Sequence, residues 1–278
     1  MTRKRGYFVM MVSALVIFVS GLIATAAENA LMMATTTSTD NTGLLDVLAP
    51  RCKEATGIEL KWTAVGTGKA LEMGKNCDVD VLLVHAPGAE KTYVAHGYGK
   101  DRTPVMYNDF VLIGPPDDPA GLKGQSVATA MQKLADQKVR FVSRGDNSGT
   151  HKKEISLWKR AGMKVPDRAE WYIQTGQGMM ATIRVAIEKV GYTLTDRGTF
   201  IKFAHNHHGS PPLTIKVEGD AVLFNQYSVL AVNPDNCADT QYDLAKKFIK
   251  WMTSDDTQEF IGNFTLLGRK LFIPNAQK

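Results

Sequence analysis

Three times along this chain an apolar run of strand length breaks into a loop rich in hydroxyls and glycine. Each loop then opens into a helical pattern. The runs lie at 31–34, 58–65 and 140–143, and the loops after them are TTTSTDNTG at 35–43, GTG at 66–68 and RGDNSGT at 144–150. Apolar β-rich runs alternating with helices predict an α/β fold with a largely parallel sheet.

The helical pattern at 43–55 carries Leu44, Leu45, Val47 and Leu48 on one face, and Gly57 ends it. Further helices are expected over 66–73, 124–137, 151–160, 178–188 and 242–260, with strands over 79–84, 105–113 and 222–232. Two of those strands, near 106–113 and 223–232, are placed to cross between lobes. Lobe 1 is then residues 28–105 with 233–278, lobe 2 is residues 106–232, and the hinge crossings fall near 104–112 and 224–232. Two crossings make a hinged cleft that closes over a ligand from both sides.

An apolar share of 44% and a charged share of 22% allow an ordinary globular core. The formal charge of +5 points at first to nucleic acid, but Arg3, Lys4 and Arg5 account for three of those charges. Without them the balance is +2, interspersed and without a basic stripe, which argues against a phosphate-backbone partner. The same three residues head an apolar run at 7–24, which ends in small residues up to Ala27. That order is a signal peptide over 1–27, cleaved after Ala26 or Ala27, so the mature protein is expected in the periplasm. An uncleaved membrane anchor is the alternative. Export would bring Cys52, Cys77 and Cys237 into an oxidising compartment; the candidate bridge is Cys52–Cys77, on or beside neighbouring helices.

The loops carry the chemistry. One Ser or Thr suffices to cap a helix, yet residues 35–39 are five consecutive hydroxyls with no cation among them. That surplus suits an anion held by neutral donors, with the free N–H groups of a first helical turn pointing at it. Gly66, Thr67 and Gly68 repeat the arrangement; Ala70 stands where a nucleotide P-loop needs a hydroxyl, so no P-loop is present. In the third loop Arg144 offers a bidentate contact to an oxyanion. Ser148 and Thr150 add hydroxyls there, Gly149 allows backbone donation, and Asp146 is placed to orient Arg144 by an ion pair. The loop QTGQGM at 174–179, with Gln177, is expected to support the site from outside. His205, His207 and His208 lack an accompanying Cys or carboxylate cluster, so a solvated loop is expected there rather than a metal site.

The ordered segments TTTSTDNTGLLD, AVGTGKAL, DVDVLLVHAPGAE, MYNDFVLIGP and RGDNSGTHKKE resemble the tungstate-binding component of TupABC-type ABC importers. The resemblance implies a two-lobed type II periplasmic-binding-protein fold with tungstate, and often molybdate, in the interlobe cleft. It implies an ABC permease and its ATPase as partners, and no cofactor beyond the ligand. Carried over, the oxyanion site is Thr37, Ser38, Thr67, Arg144, Ser148 and Thr150, with Gly68 beside them; Thr36, Gly66, Asp146, Gly149 and Gln177 form a surrounding shell. A monomer is expected. Molybdate, sulfate or phosphate is the alternative ligand. An exported phosphate-ester enzyme is a second class, for which only Ser148 and His151 offer a nucleophile and base. A signalling or adhesion module is a third.

Overall fold

The structure, a computed structural model, describes residues 29–276, so the signal peptide expected over 1–27 lies outside the described residues. The chain runs through β1 (Ala30–Thr36), α1 (Thr37–Asp40), α2 (Leu44–Thr56), β2 (Glu59–Val65), α3 (Thr67–Lys75), β3 (Val81–Val84) and α4 (Pro87–Ala95) before the long strand β4 (Gly99–Gly114). Next come α5 (Val127–Asp136), β5 (Phe141–Ser143), α6 (Gly149–Arg160), β6 (Tyr172–Gln174), α7 (Met179–Glu188), β7 (Thr193–Asp196), α8 (Arg197–Asn206) and β8 (Thr214–Val217). The chain returns through β9 (Phe224–Val232) and ends in α9 (Tyr242–Met252), α10 (Asp255–Asn263) and the short strands β10 (Thr265–Leu266), β11 (Arg269–Lys270) and β12 (Ile273–Pro274).

The main sheet has the order β12-β4-β9-β3-β1-β2. β1 is parallel to β2 and β3, whereas β9 is antiparallel to both β3 and β4. The sheet is therefore mixed, a correction to the largely parallel one expected. A strand leaving a lobe and a strand returning to it lie side by side, so β4 and β9 must run in opposite directions. β4 pairs with β9 from Gly99 to Asp109, then with β7 and β8 from Phe110 to Gly114.

Each end of β4 belongs to its own two-faced core. In lobe 1, Met33 and Leu83 face α2 and α9 through Leu44, Leu48, Phe248 and Met252. Their strand neighbours Ala34 and Leu82 face the other way, onto Ala70 and Tyr93. Both faces are dry, which is why these strands read as unbroken apolar runs. Lobe 2 repeats the plan. Phe110 and Leu112 pack with Met131, Leu134 and Trp158, while Val111 and Ile113 pack with Ile183 and Phe203.

Several sequence expectations need correction. The disulfide is Cys77–Cys237, with Cα atoms 5.5 Å apart, not Cys52–Cys77. Cys52 lies on the buried face of α2, its Sγ beside Thr56 Oγ1, so it points into the core and away from any partner thiol. The single helix expected over 242–260 is two helices, because Ser254 Oγ accepts from Thr257 N at 3.4 Å and starts α10 afresh. α4 and α8 were not anticipated; the Asp196 carboxylate caps α8 by accepting from Thr199 N at 2.9 Å. The histidines at 205–208 are exposed, but His205 lies in the last turn of α8 and His207 caps it, its ring edge-on to Phe203.

Candidate functional site

The loops leaving β1, β2 and β5 converge on one cavity of about 350 Å³ between the lobes. Thr36, Thr37 and Ser38 line it from the first loop, and Gly66, Thr67 and Gly68 from the second. Arg144, Asp146, Ser148, Gly149 and Thr150 line it from the third. Gln177 does not reach it; its backbone oxygen accepts from Arg144 Nε at 3.3 Å, so it steadies the guanidinium from behind.

Each loop becomes a helix start by its own chemistry. Thr36 caps the four-residue α1, its Oγ1 accepting from Thr39 N at 3.2 Å. So short a helix supplies local N–H groups and little dipole. Gly66 caps α3 in extended geometry and has no side chain to satisfy the first turn, which leaves those N–H groups to the cavity. Ser148 caps α6, its Oγ accepting from the backbone N–H of His151 at 3.3 Å. Thr67 Oγ1 is buried and has no hydrogen-bond partner among the described residues. An unmade bond of that kind costs about 1–3 kcal/mol, so it marks a position held for something else.

Arg144 Nη2 lies 2.5 Å from Asp146 Oδ2, and Asp146 Oδ1 accepts from Ser148 N at 3.1 Å. Burial pulls the Asp146 carboxyl upward, but the Ser148 hydrogen bonds and the Arg144 charge outweigh it and hold the group below the usual carboxylate range. Arg144 is not the only cation lining the cavity. Lys69 joins it at the rim, its exposed Nζ 3.4 Å from Glu72 Oε2.

One functional residue escaped the sequence reading. His85 follows the fully buried β3, lines the same cavity and is 7% exposed. Its Nε2 is 3.0 Å from Thr36 Oγ1 and 3.1 Å from Ser38 Oγ, and its Nδ1 is 2.9 Å from Asn225 Oδ1. Burial is the largest influence on the ring and lowers it below the usual histidine range, against the Asn225 bond that raises it. The available signal was positional: β3 delivers His85 to the sheet edge where β1 and β2 deliver their loops.

The lobes touch across this site. A Cβ built on Gly149 of α6 would lie 3.1 Å from His85 Cε1 and 3.5 Å from Thr67 Oγ1. Lys202 Nζ of α8 donates to Asn41 O. Ser148 and His151 do not form a nucleophile–base pair, because the hydroxyl takes the His151 backbone N–H and the ring Nδ1 accepts from Asn147 N at 3.0 Å.

With this geometry in place, residues 24–256 match the family described as the PBP superfamily domain. The tungstate-binding protein TupA of Campylobacter jejuni is 53% identical over 240 residues, covering 86% of this chain and 89% of that one. The chain belongs to the TupA family within the PBP superfamily. The solved TupA from Desulfovibrio alaskensis, a tungstate binding protein, is 63% identical with a TM-score of 0.84, covering 89% of this chain and 99% of that one. The tungstate ABC transporter structure from Geobacter sulfurreducens is 45% identical with a TM-score of 0.76, covering 86% and 100%. The two-lobed arrangement around β4 and β9 is thus that of a TupA-type binding protein.

Proposed function

We propose that this protein captures tungstate in the cleft between its lobes and delivers it to the permease of an ABC importer, which its ATPase drives. It acts as a binding protein and not as an enzyme, as the TupA relatives are named. The observation that carries the reading is Thr67 Oγ1, buried and unpartnered where the starts of α3 and α6 meet. Dehydrating a small dianion is costly. Fixed N–H and O–H donors from three helix starts, with one guanidinium, offset that cost without a full set of opposite charges.

In this reading Thr37, Ser38, Thr67, Gly68, Arg144, Ser148 and Thr150 hold the oxyanion, and Thr36, Gly66, Asp146, Gly149 and Gln177 hold those residues in turn. Molybdate has the same shape and charge and is the second ligand. Phosphate carries a proton that needs an acceptor, and among the described residues the one carboxylate lining the cavity is already committed to Arg144 and Ser148. The lobes are 28–105 with 233–278 and 106–232, and the hinge lies in β4 and β9. The chain is exported, cleaved near Ala27, and works as a monomer in the periplasm. Calorimetry of the mature protein against tungstate, molybdate, sulfate and phosphate tests the reading. Tungstate and molybdate should bind far more tightly than phosphate; no binding of tungstate would overturn it.

A further inference from the structure

The hydrogen-bond chain behind His85 has a fixed polarity. Asn225 Nδ2 donates to Asn108 Oδ1 at 2.8 Å and lies 3.2 Å from Tyr227 OH, so both its hydrogens are directed away from His85. Asn225 Oδ1 therefore faces His85 Nδ1 at 2.9 Å and accepts from it. A neutral His85 then carries its proton on Nδ1, and Nε2 has a single lone pair. That lone pair faces two hydroxyls, Thr36 Oγ1 and Ser38 Oγ, and one of them must give it a hydrogen. Thr36 Oγ1 is already an acceptor for Thr39 N. The neutral ring thus takes a donor away from the very loop that line the cavity with hydroxyls.

We infer that His85 takes up a proton together with the oxyanion, and that this proton frees the one hydroxyl hydrogen that the Thr36–Ser38 pair gives the ring, so that it turns into the cleft. The proton comes from solvent and stays on Nε2. From there it donates to the two hydroxyl oxygens, and the hydroxyl that had donated to the ring keeps its hydrogen and rotates it toward the anion. An O–H bond of the solvent donor breaks as the Nε2–H bond forms, and no other covalent bond changes. This inference rests on the anion-binding reading above and adds to it a partner for the anion's charge. Arg144 is already neutralised by Asp146, so an arriving dianion meets a pair of no net charge.

The groups facing His85 decide how far the linkage runs. From the end of β7, Asp196 favours the charged ring, and from α6, Lys153 disfavours it. From β9 the Tyr227 ring lies 4.8 Å away, centroid to centroid, and its hydroxyl stays protonated because burial pushes it up. Across the cavity stand Arg144 and Asp146, and Lys69 lies at the rim on the His85 side. His151, one turn into α6, is also lowered by burial. A dianion adds negative charge to this set and raises the ring's proton affinity. Free His85 is held low, so the bound ring gains its proton in the window between the free and the bound values. Affinity should therefore rise as pH falls through that window.

The test is calorimetry with sodium tungstate in buffers of different ionisation enthalpy, from about pH 5 to 8, a range that brackets ordinary histidine titration and reaches below it. The parent protein should take up as much as about one proton per anion, and its affinity should tighten by as much as about tenfold per pH unit where uptake is complete. His85→Gln should bind more weakly and lose the His85 share of both effects, while His151→Gln keeps them. Uptake that survives in His85→Gln would overturn the inference. If His85→Gln does not fold, the side-chain ¹⁵N shifts of His85 in the parent decide. They should pass from the Nδ1–H tautomer to the imidazolium when tungstate is added, and an unchanged neutral tautomer would overturn it. Binding without uptake sinks this inference alone; no binding at all sinks the anion reading with it.

Discussion

The two walls of the cleft solve one problem in different ways. On lobe 1 the wall is Thr36, Ser38, Thr67 and His85, brought in by β1, β2 and β3 with no carboxylate and no guanidinium. Its side chains bond to one another as much as they face the cavity. On lobe 2 a single loop after β5 supplies Arg144, Asp146, Ser148 and Thr150, and the ion pair within it is only partly buried. The difference teaches a division of labour. The lobe 1 wall, whose cation Lys69 is exposed at the rim, is fixed by its own hydrogen bonds and sets shape, whereas the lobe 2 wall carries the partly buried charge and comes with the other lobe.

The largest effect expected is on the charged wall. Arg144→Ala should weaken tungstate binding by about 2–5 kcal/mol, the scale for truncating one partner of a buried hydrogen-bonded charge pair. Arg144→Lys should recover only part, since an ammonium restores charge without the planar fork. Both should shift the preference between tungstate and molybdate or sulfate. Calorimetry with all three anions orders the variants. An Arg144→Ala protein that binds as tightly as the parent would leave the neutral wall as the whole site and end the comparison.

The next effect is on the neutral wall's foundation. Cys77–Cys237 ties the C-terminal end of α3, whose N-terminal end lies at the cavity, across 160 residues of chain. The charged wall has no such tie among the described residues. Replacing both cysteines by serine should lower stability by about 2–4 kcal/mol, the usual range for a natural bridge. Denaturant unfolding of the two proteins measures it, and equal midpoints would mean that the bridge constrains nothing of consequence.

Gly149→Ala probes the seam between the walls. Its φ does not lie in the left-handed region, so alanine fits the backbone. The new methyl would press on His85 Cε1 at 3.1 Å, a contact that is relieved by a shift of the buried His85 ring or by the lobes moving apart. Overpacking of this kind costs about 1–3 kcal/mol, and here it should appear as lost affinity. Small-angle scattering with tungstate should then show a less compact complex than the parent's. Unchanged affinity would mean that the lobes bind without meeting at this point.

Much of this was legible in the residues because hydroxyl-rich helix starts announce themselves locally. The loops at Thr36–Ser38, Gly66–Gly68 and Arg144–Thr150 could be read from spacing and residue type, and the structure brings all three to one cavity. His85 was not legible, because a lone histidine after an apolar strand has no local signature. Its meaning comes from Asn225, which is 140 positions away in sequence. The disulfide failed for the same reason: adjacency of helices in the sequence favoured Cys52, while the direction of its side chain into the core is set by tertiary packing. The antiparallel β9 was hidden because periodicity reports burial and not strand direction.

The smallest effect is the sharpest test of the neutral wall. Thr67 Oγ1 is buried without a partner, so the unliganded protein bears the cost of that hydroxyl and the ligand recovers it. Affinity and stability should therefore move in opposite directions. Thr67→Val keeps the branched shape and removes the hydroxyl; Thr67→Ala also removes a methyl group. Both should lose about 1 kcal/mol of tungstate affinity, the scale of one neutral hydrogen bond. Thr67→Val should leave the melting temperature of the unliganded protein unchanged or raise it, because an apolar group now occupies a buried position that offered no acceptor. An ordinary structural threonine behaves otherwise, losing stability on the same change and leaving affinity alone. Scanning calorimetry without ligand and titration calorimetry with tungstate separate the two. A Thr67→Val protein that melts lower and binds as before would show that this hydroxyl belongs to the fold, and the neutral wall would then rest on its N–H groups and the Thr36–Ser38 loop.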